Sequence, residues 1–109
     1  MQGTYLVLFL QENRTHHGTL LYEWLLSQAR RLGLPGGTAF KAIAGFGRHG
    51  HFHADHFIEL AGDLPVELTF MATEEEADRL LAFIQGEGLS LFYVRMPATC
   101  GVINEPAKN

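Results

Sequence analysis

The chain has 109 residues, 47% of them hydrophobic, a formal charge of -4 and one cysteine. That length fits a single domain able to bury roughly two-thirds of its unfolded surface, and the apolar content argues against disorder. The acidic balance argues against a nucleic-acid partner, which needs a net basic face, and Cys100 alone excludes an internal disulfide. No apolar run approaches the roughly 20 residues of a membrane helix. The run Tyr5 to Leu10 follows Met1-Gln2-Gly3-Thr4, with no basic region before it, so it does not read as a signal peptide. A soluble, cytoplasmic protein without membrane insertion is the expectation.

Tyr5 to Leu10 is short and apolar and reads as a buried strand. Glu12 to Gly18 is polar and reads as a loop. Leu21, Leu25, Ala29 and Leu32 recur at helical spacing, which predicts a helix over 19–32 with Arg30 and Arg31 in its last turn. Gly33 ends it and Pro35 forbids resumption. A second strand is expected over 38–46, then extended chain again over 57–60, a turn at Gly62-Asp63-Leu64-Pro65, and an alternating strand over 66–70. Thr73-Glu74-Glu75-Glu76 is a capping box, and the helix behind it sets Ala77, Leu80, Leu81 and Ile84 on one face. Gly86 and Gly88 close that helix. Leu89 to Val94 is the expected last strand, and the tail beyond Pro97 is expected to be irregular.

The order strand–helix–strand–strand–helix–strand is the pattern of an α+β, ferredoxin-like βαββαβ sandwich, here a single domain over 1–109 with its core at about 4–97. Two helices cover one face of a four-stranded antiparallel sheet. The other face is apolar too. Leu6, Leu8 and Leu10 point one way while Tyr5, Val7 and Phe9 point the other, and Phe92 and Val94 oppose Leu89, Leu91 and Tyr93. An exposed apolar patch of several hundred Å² is uncommon on a monomer. The reading is a homo-oligomer that joins sheet faces; the alternative is a C-terminal tail folded over that face.

The stretch from Gly45 to Phe57 holds three glycines, Arg48 and four of the six histidines. It joins two strands of a hairpin and far exceeds the two to five residues such a connection needs. Ordering its backbone costs about 1–2 kcal/mol per residue, while a charge-assisted hydrogen bond returns about 1.5–3 kcal/mol. A ligand at its base would fix part of the loop and a protein partner the rest, which is how a switch behaves. Three readings stand side by side. Gly45, Gly47, Arg48, His51 and His53, with Lys41 on the strand leading in, suit an anion cradle. His49, His51, His53 and His56, with Asp55 as another candidate, suit a Zn or Cu site. The third reading is a solvated loop without a role.

Elsewhere the signals are weaker. His16-His17 beside Arg14 reads as a solvated loop, with a contribution to the same pocket as the alternative, and Tyr22 and Trp24 read as core or interface. Gly45-x-Gly47 precedes no helix and is not a dinucleotide fingerprint. No nucleophile–base or general-acid pair stands out, and nothing sets a base beside Cys100, so the expectation is a non-enzyme.

Several motifs in order carry a resemblance: Leu21-Tyr22-Glu23, Gly33-Leu34, Gly45-Phe46-Gly47 with Arg48, His51-x-His53, and Leu60-x-x-Asp63-Leu64-Pro65. The chain resembles the PII-like proteins of domain-of-unknown-function family 190 from about Leu6 to Val94. That resemblance implies a ferredoxin-like homotrimer akin to PII signal-transduction proteins, which bind adenine nucleotides between subunits. It implies a long loop after the second strand that grips a membrane transporter, a channel or an enzyme. The expected function is therefore a regulatory module that binds a small anion, such as an adenine nucleotide, in an inter-subunit cleft lined by Lys41, Gly45, Gly47, Arg48, His51 and His53. The alternative is a divalent-metal-binding trimer, as in the CutA-like proteins that share this architecture, using the His-x-His cluster.

Overall fold

The computed structural model describes residues 1–45 and 64–107. Among them, β1 (Gln2–Gln11) runs into a short hairpin, β2 (Thr15–His16) and β3 (Thr19–Leu20), and then α1 (Leu21–Arg31). β4 (Thr38–Lys41) follows, then β5 (Pro65–Ala72), α2 (Glu74–Gly86) and β6 (Phe92–Thr99). The main sheet has the order β4-β5-β1-β6 with every pair antiparallel. This is the ferredoxin-like arrangement: the first and third long strands lie side by side in the centre, and each helix crosses over between strands that are not neighbours.

β1 is the longest strand and is paired on both edges. Leu6, Leu8 and Leu10 on one face pack with Val66, Leu68, Phe70 and Ala72 of β5. Leu21, Leu25 and Ala29 of α1 and Ala77, Leu80 and Ile84 of α2 close that layer from above. These are the helix stripes that the 3.6-residue spacing predicts, with Leu32 and Leu81 at their partly buried margins.

Local signals set the helix ends. At α2 the Thr73 hydroxyl accepts from the Glu76 amide at 3.0 Å and the Glu76 carboxylate accepts from the Thr73 amide at 2.8 Å, the reciprocal capping box. Both helices finish in the same way. Gly33 and Gly88 take positive φ, of 96° and 73°. The next residue then donates back to the last turn, Leu34 to the Ala29 carbonyl and Leu89 to the Ile84 carbonyl. The cap residue of α2 is therefore Glu87, held in helical geometry just before the turn.

Three boundaries differ from expectation. α1 starts at Leu21 because Thr19 and Leu20 are paired in the small hairpin. β4 stops at Lys41, although the Ala42 amide still reaches the Pro65 carbonyl; Ile43, within the expected strand, is 93% exposed. The last strand is shifted toward the C-terminus: Leu89 and Leu91 precede it and pack on the core, and pairing with β1 carries past Pro97 to Thr99. β6 is an edge strand, where a proline's missing N–H is tolerated. The expected extended chain over 57–60 lies outside the described residues.

The sheet face away from the helices carries Tyr5, Val7 and Phe9 of β1, flanked by Thr69 and Met71 of β5 and by Phe92, Val94 and Met96 of β6. Phe40 of β4 lies on the same face, opposite Glu67. Phe40, Phe92 and Met96 are 55%, 41% and 44% exposed. The described part of the tail does not cover them with packed side chains of its own: residues 101–107 are exposed, including Val102 and Ile103.

Removing the cap tests the account of α2. Thr73→Ala leaves the Glu76 amide without its acceptor and should destabilise the protein by about 1 kcal/mol in urea unfolding with unchanged m-value.

Candidate functional site

The expected anion cradle begins where three strands end together. β1 gives way to Glu12, β4 ends at Lys41, and β5 starts at Pro65. The Glu12 amide donates to the Leu64 carbonyl at 3.1 Å, and the Ala42 amide to the Pro65 carbonyl at 2.9 Å, which closes the base of the long connection. Gly45 sits there, with Pro65 the near neighbour of any side chain that would replace its hydrogen. Lys41 is at the same edge, but its ammonium lies 2.9 Å from Glu12 Oε2. An anionic ligand would reach Lys41 in competition with that carboxylate. Gly47, Arg48, His49, His51, His53, Asp55 and His56 lie outside the described residues.

The segment from Glu12 to Leu20 connects this edge to a second cluster. The Leu21 amide donates to the Arg14 carbonyl at 2.7 Å, and the Arg14 guanidinium donates to the Ser90 carbonyl at 3.0 Å, tying the segment to the α2–β6 connection. Within it the hairpin turns on His17 and Gly18, both at positive φ, 53° and 78°. Two successive positive φ values mark a type I′ turn. The turn brings both imidazoles onto the cap of α2: His16 Nε2 lies 3.1 Å and His17 Nε2 3.4 Å from the same oxygen, Glu87 Oε1. The rings are 4.0 Å apart, and both meet Trp24 edge-on, at 4.6 and 5.9 Å. Trp24 in turn stacks on Phe83 at 5.6 Å.

The hydrogen bond from His16, then that from His17, holds the Glu87 carboxyl below the usual glutamate range. Three groups able to ligate a metal thus converge with their donor atoms within 4.8 Å of one another. The sequence reading missed this grouping by taking His16-His17 as a solvated loop; His16 is in fact only 17% exposed. The available signal was His17-Gly18 between strand-forming Thr15 and Thr19, which suits a two-residue turn. The partner could not be read that way, since Glu87 lies 70 residues on and arrives through helix packing. Trp24 and Tyr22 pack against the core, in line with their expected role.

The comparisons with known proteins add to this geometry. A family model described as DUF190, "Uncharacterized ACR, COG1993", matches residues 3–88. A "UPF0166 protein" of Aquifex aeolicus is 34% identical over 80 residues, covering 73% of this chain and 76% of that protein. Among solved structures, CPII of Thiomonas intermedia K12 bound to ADP, AMP and acetate superposes with a TM-score of 0.64 at 18% identity, covering 93% of this chain and 90% of that one. A putative PII-like signaling protein of Thermus thermophilus superposes with a TM-score of 0.56 at 22% identity, covering 89% and 88%. At such identities these two likenesses speak for the fold: a four-stranded antiparallel sheet with two helices, shared with PII-like proteins. Since the family model spans most of its length and the Aquifex relative agrees, the chain belongs to the DUF190 family.

Proposed function

We propose that this chain is a PII-like regulatory protein, a homotrimer that binds a small anionic ligand, an adenine nucleotide, in clefts between subunits and uses the 45–57 segment to control a partner protein. The observation that carries this reading is the shared fold with CPII, a protein solved with ADP and AMP bound. The sheet supports the oligomer: its second face is apolar, and the described part of the tail leaves its own Val102 and Ile103 exposed. On this reading Lys41 and Gly45 at the loop base act with Gly47, Arg48, His51 and His53. The regulated target is a transporter, a channel or an enzyme, and no residue of this chain is given a catalytic role.

Lys41 and Glu12 set the electrostatics at the loop base. The pair is neutral as a unit, so Arg48 carries the cationic character of the cradle. Titration calorimetry with ATP, ADP and AMP should show binding of at least one, and Arg48→Ala should weaken it about 10- to 100-fold, the worth of one charge-assisted hydrogen bond. The absence of heat with all three nucleotides would overturn the proposal.

Glu12→Gln should have the opposite sign. It frees the Lys41 ammonium from its counter-ion and should tighten the same nucleotide by up to about five-fold, the upper range of an exposed ion pair. The same calorimetric titration reads this change.

A further inference from the structure

We propose that His16, His17 and Glu87 form a binding site for a divalent transition-metal ion of the zinc class, separate from the loop that follows β4. Two imidazoles and one carboxylate are a donor set that such ions take, with an open fourth position for water. Ligands about 2.0–2.1 Å from a tetrahedral zinc stand about 3.3 Å from each other; the two nitrogen-to-oxygen separations here match that at 3.1 and 3.4 Å, and all three donor atoms lie within 4.8 Å of one another, close enough for the two imidazoles to draw in on an ion. An ion placed between the three atoms would replace the hydrogen bonds that now hold them, once each ring carries its proton on Nδ1.

Three further features of the fold agree. The first is backbone preference: position 17 is the first residue of a type I′ turn, where asparagine is the favoured partner of glycine, yet a histidine occupies it at φ 53°. The second is charge. A helix C-terminus favours cations, and α1 supplies Arg30 and Arg31 in its last turn. The last turn of α2 has no basic residue, and its cap residue, Glu87, adds a carboxylate at that end instead. A bound cation would reverse that unfavourable arrangement. The third is orientation: Trp24, itself stacked on Phe83, walls the two rings on one side, while His17 is 66% exposed and leaves the site open to ions from solvent.

The test must separate this site from the histidines at 49, 51, 53 and 56. The full chain with those four changed to asparagine is titrated with Zn²⁺ against a chromophoric chelator. It should bind one equivalent. Adding His17→Asn or Glu87→Gln should weaken that binding by more than about 100-fold, since loss of a supporting group alone costs 10- to 100-fold. His17→Asn also completes an Asn-Gly turn, so the metal-free protein should keep or raise its melting temperature while losing its rise with Zn²⁺. A merely structural role for His17 would give the reverse: a lower melting temperature without metal. The proposal falls if the fourfold variant binds no Zn²⁺, or if it binds equally well with His17 or Glu87 replaced.

Discussion

The central strand is apolar on both faces, and most of the molecule follows from that. Leu6, Leu8 and Leu10 recruit two helices to one side of the sheet. Tyr5, Val7 and Phe9 repeat the demand on the other side, where the described residues place no helix. Flanking strands answer it in part. Phe92 packs on Phe9 with ring centres 5.4 Å apart, and Val7 between Thr69 and Val94 is buried. Half-exposed Phe40, Phe92 and Met96 would add about 1 kcal/mol each on full burial, half the usual 1.5–3 kcal/mol for such side chains. A few kcal/mol per protomer falls short of, or only just meets, the cost of association, about 4–15 kcal/mol. A stable assembly therefore has to bury Tyr5, Phe9, Met71 and Val94 as well, which means the whole face and not its rim.

The same topology places the chemistry. Strand ends gather at one edge of the sheet, so the polar segment after β1 meets the base of the long connection through Glu12 and Lys41. Its other end meets the cap of α2 through His16 and His17. Both contacts run through one nine-residue segment from Glu12 to Leu20, anchored by Arg14 on the Ser90 carbonyl. That gives the proposed ligand cradle and the proposed metal site a direct covalent connection.

Much of the fold was legible in the residues. The 3.6-residue stripes named the helix faces that pack, Thr73-x-x-Glu76 named the start of α2, and Gly33 named the end of α1. The failures have local causes. Leu89 and Leu91 have strand-like spacing but serve as the apolar residues that follow a helix cap, so β6 begins later than its hydrophobic pattern. Pro97 reads as a stop for a strand, yet an edge strand tolerates proline, and pairing continues to Thr99. The site was less legible. Lys41 announced its charge but not its partner, because Glu12 lies 29 positions earlier and meets it only through the shared sheet edge. His16 looked solvated because polar loops usually are, and only the packing of Trp24 and α2 shows otherwise.

The claim on which the rest leans is that water does not cover the second sheet face in solution. Sedimentation equilibrium of the full chain at micromolar concentration tests it most directly, with Met96→Lys as the comparison because that side chain sits on the open face at 44% exposure. The account predicts a single species of three times the protomer mass, which Met96→Lys shifts toward lighter forms. A stable single protomer for the unsubstituted chain would contradict it, and the inter-subunit cleft would have no basis.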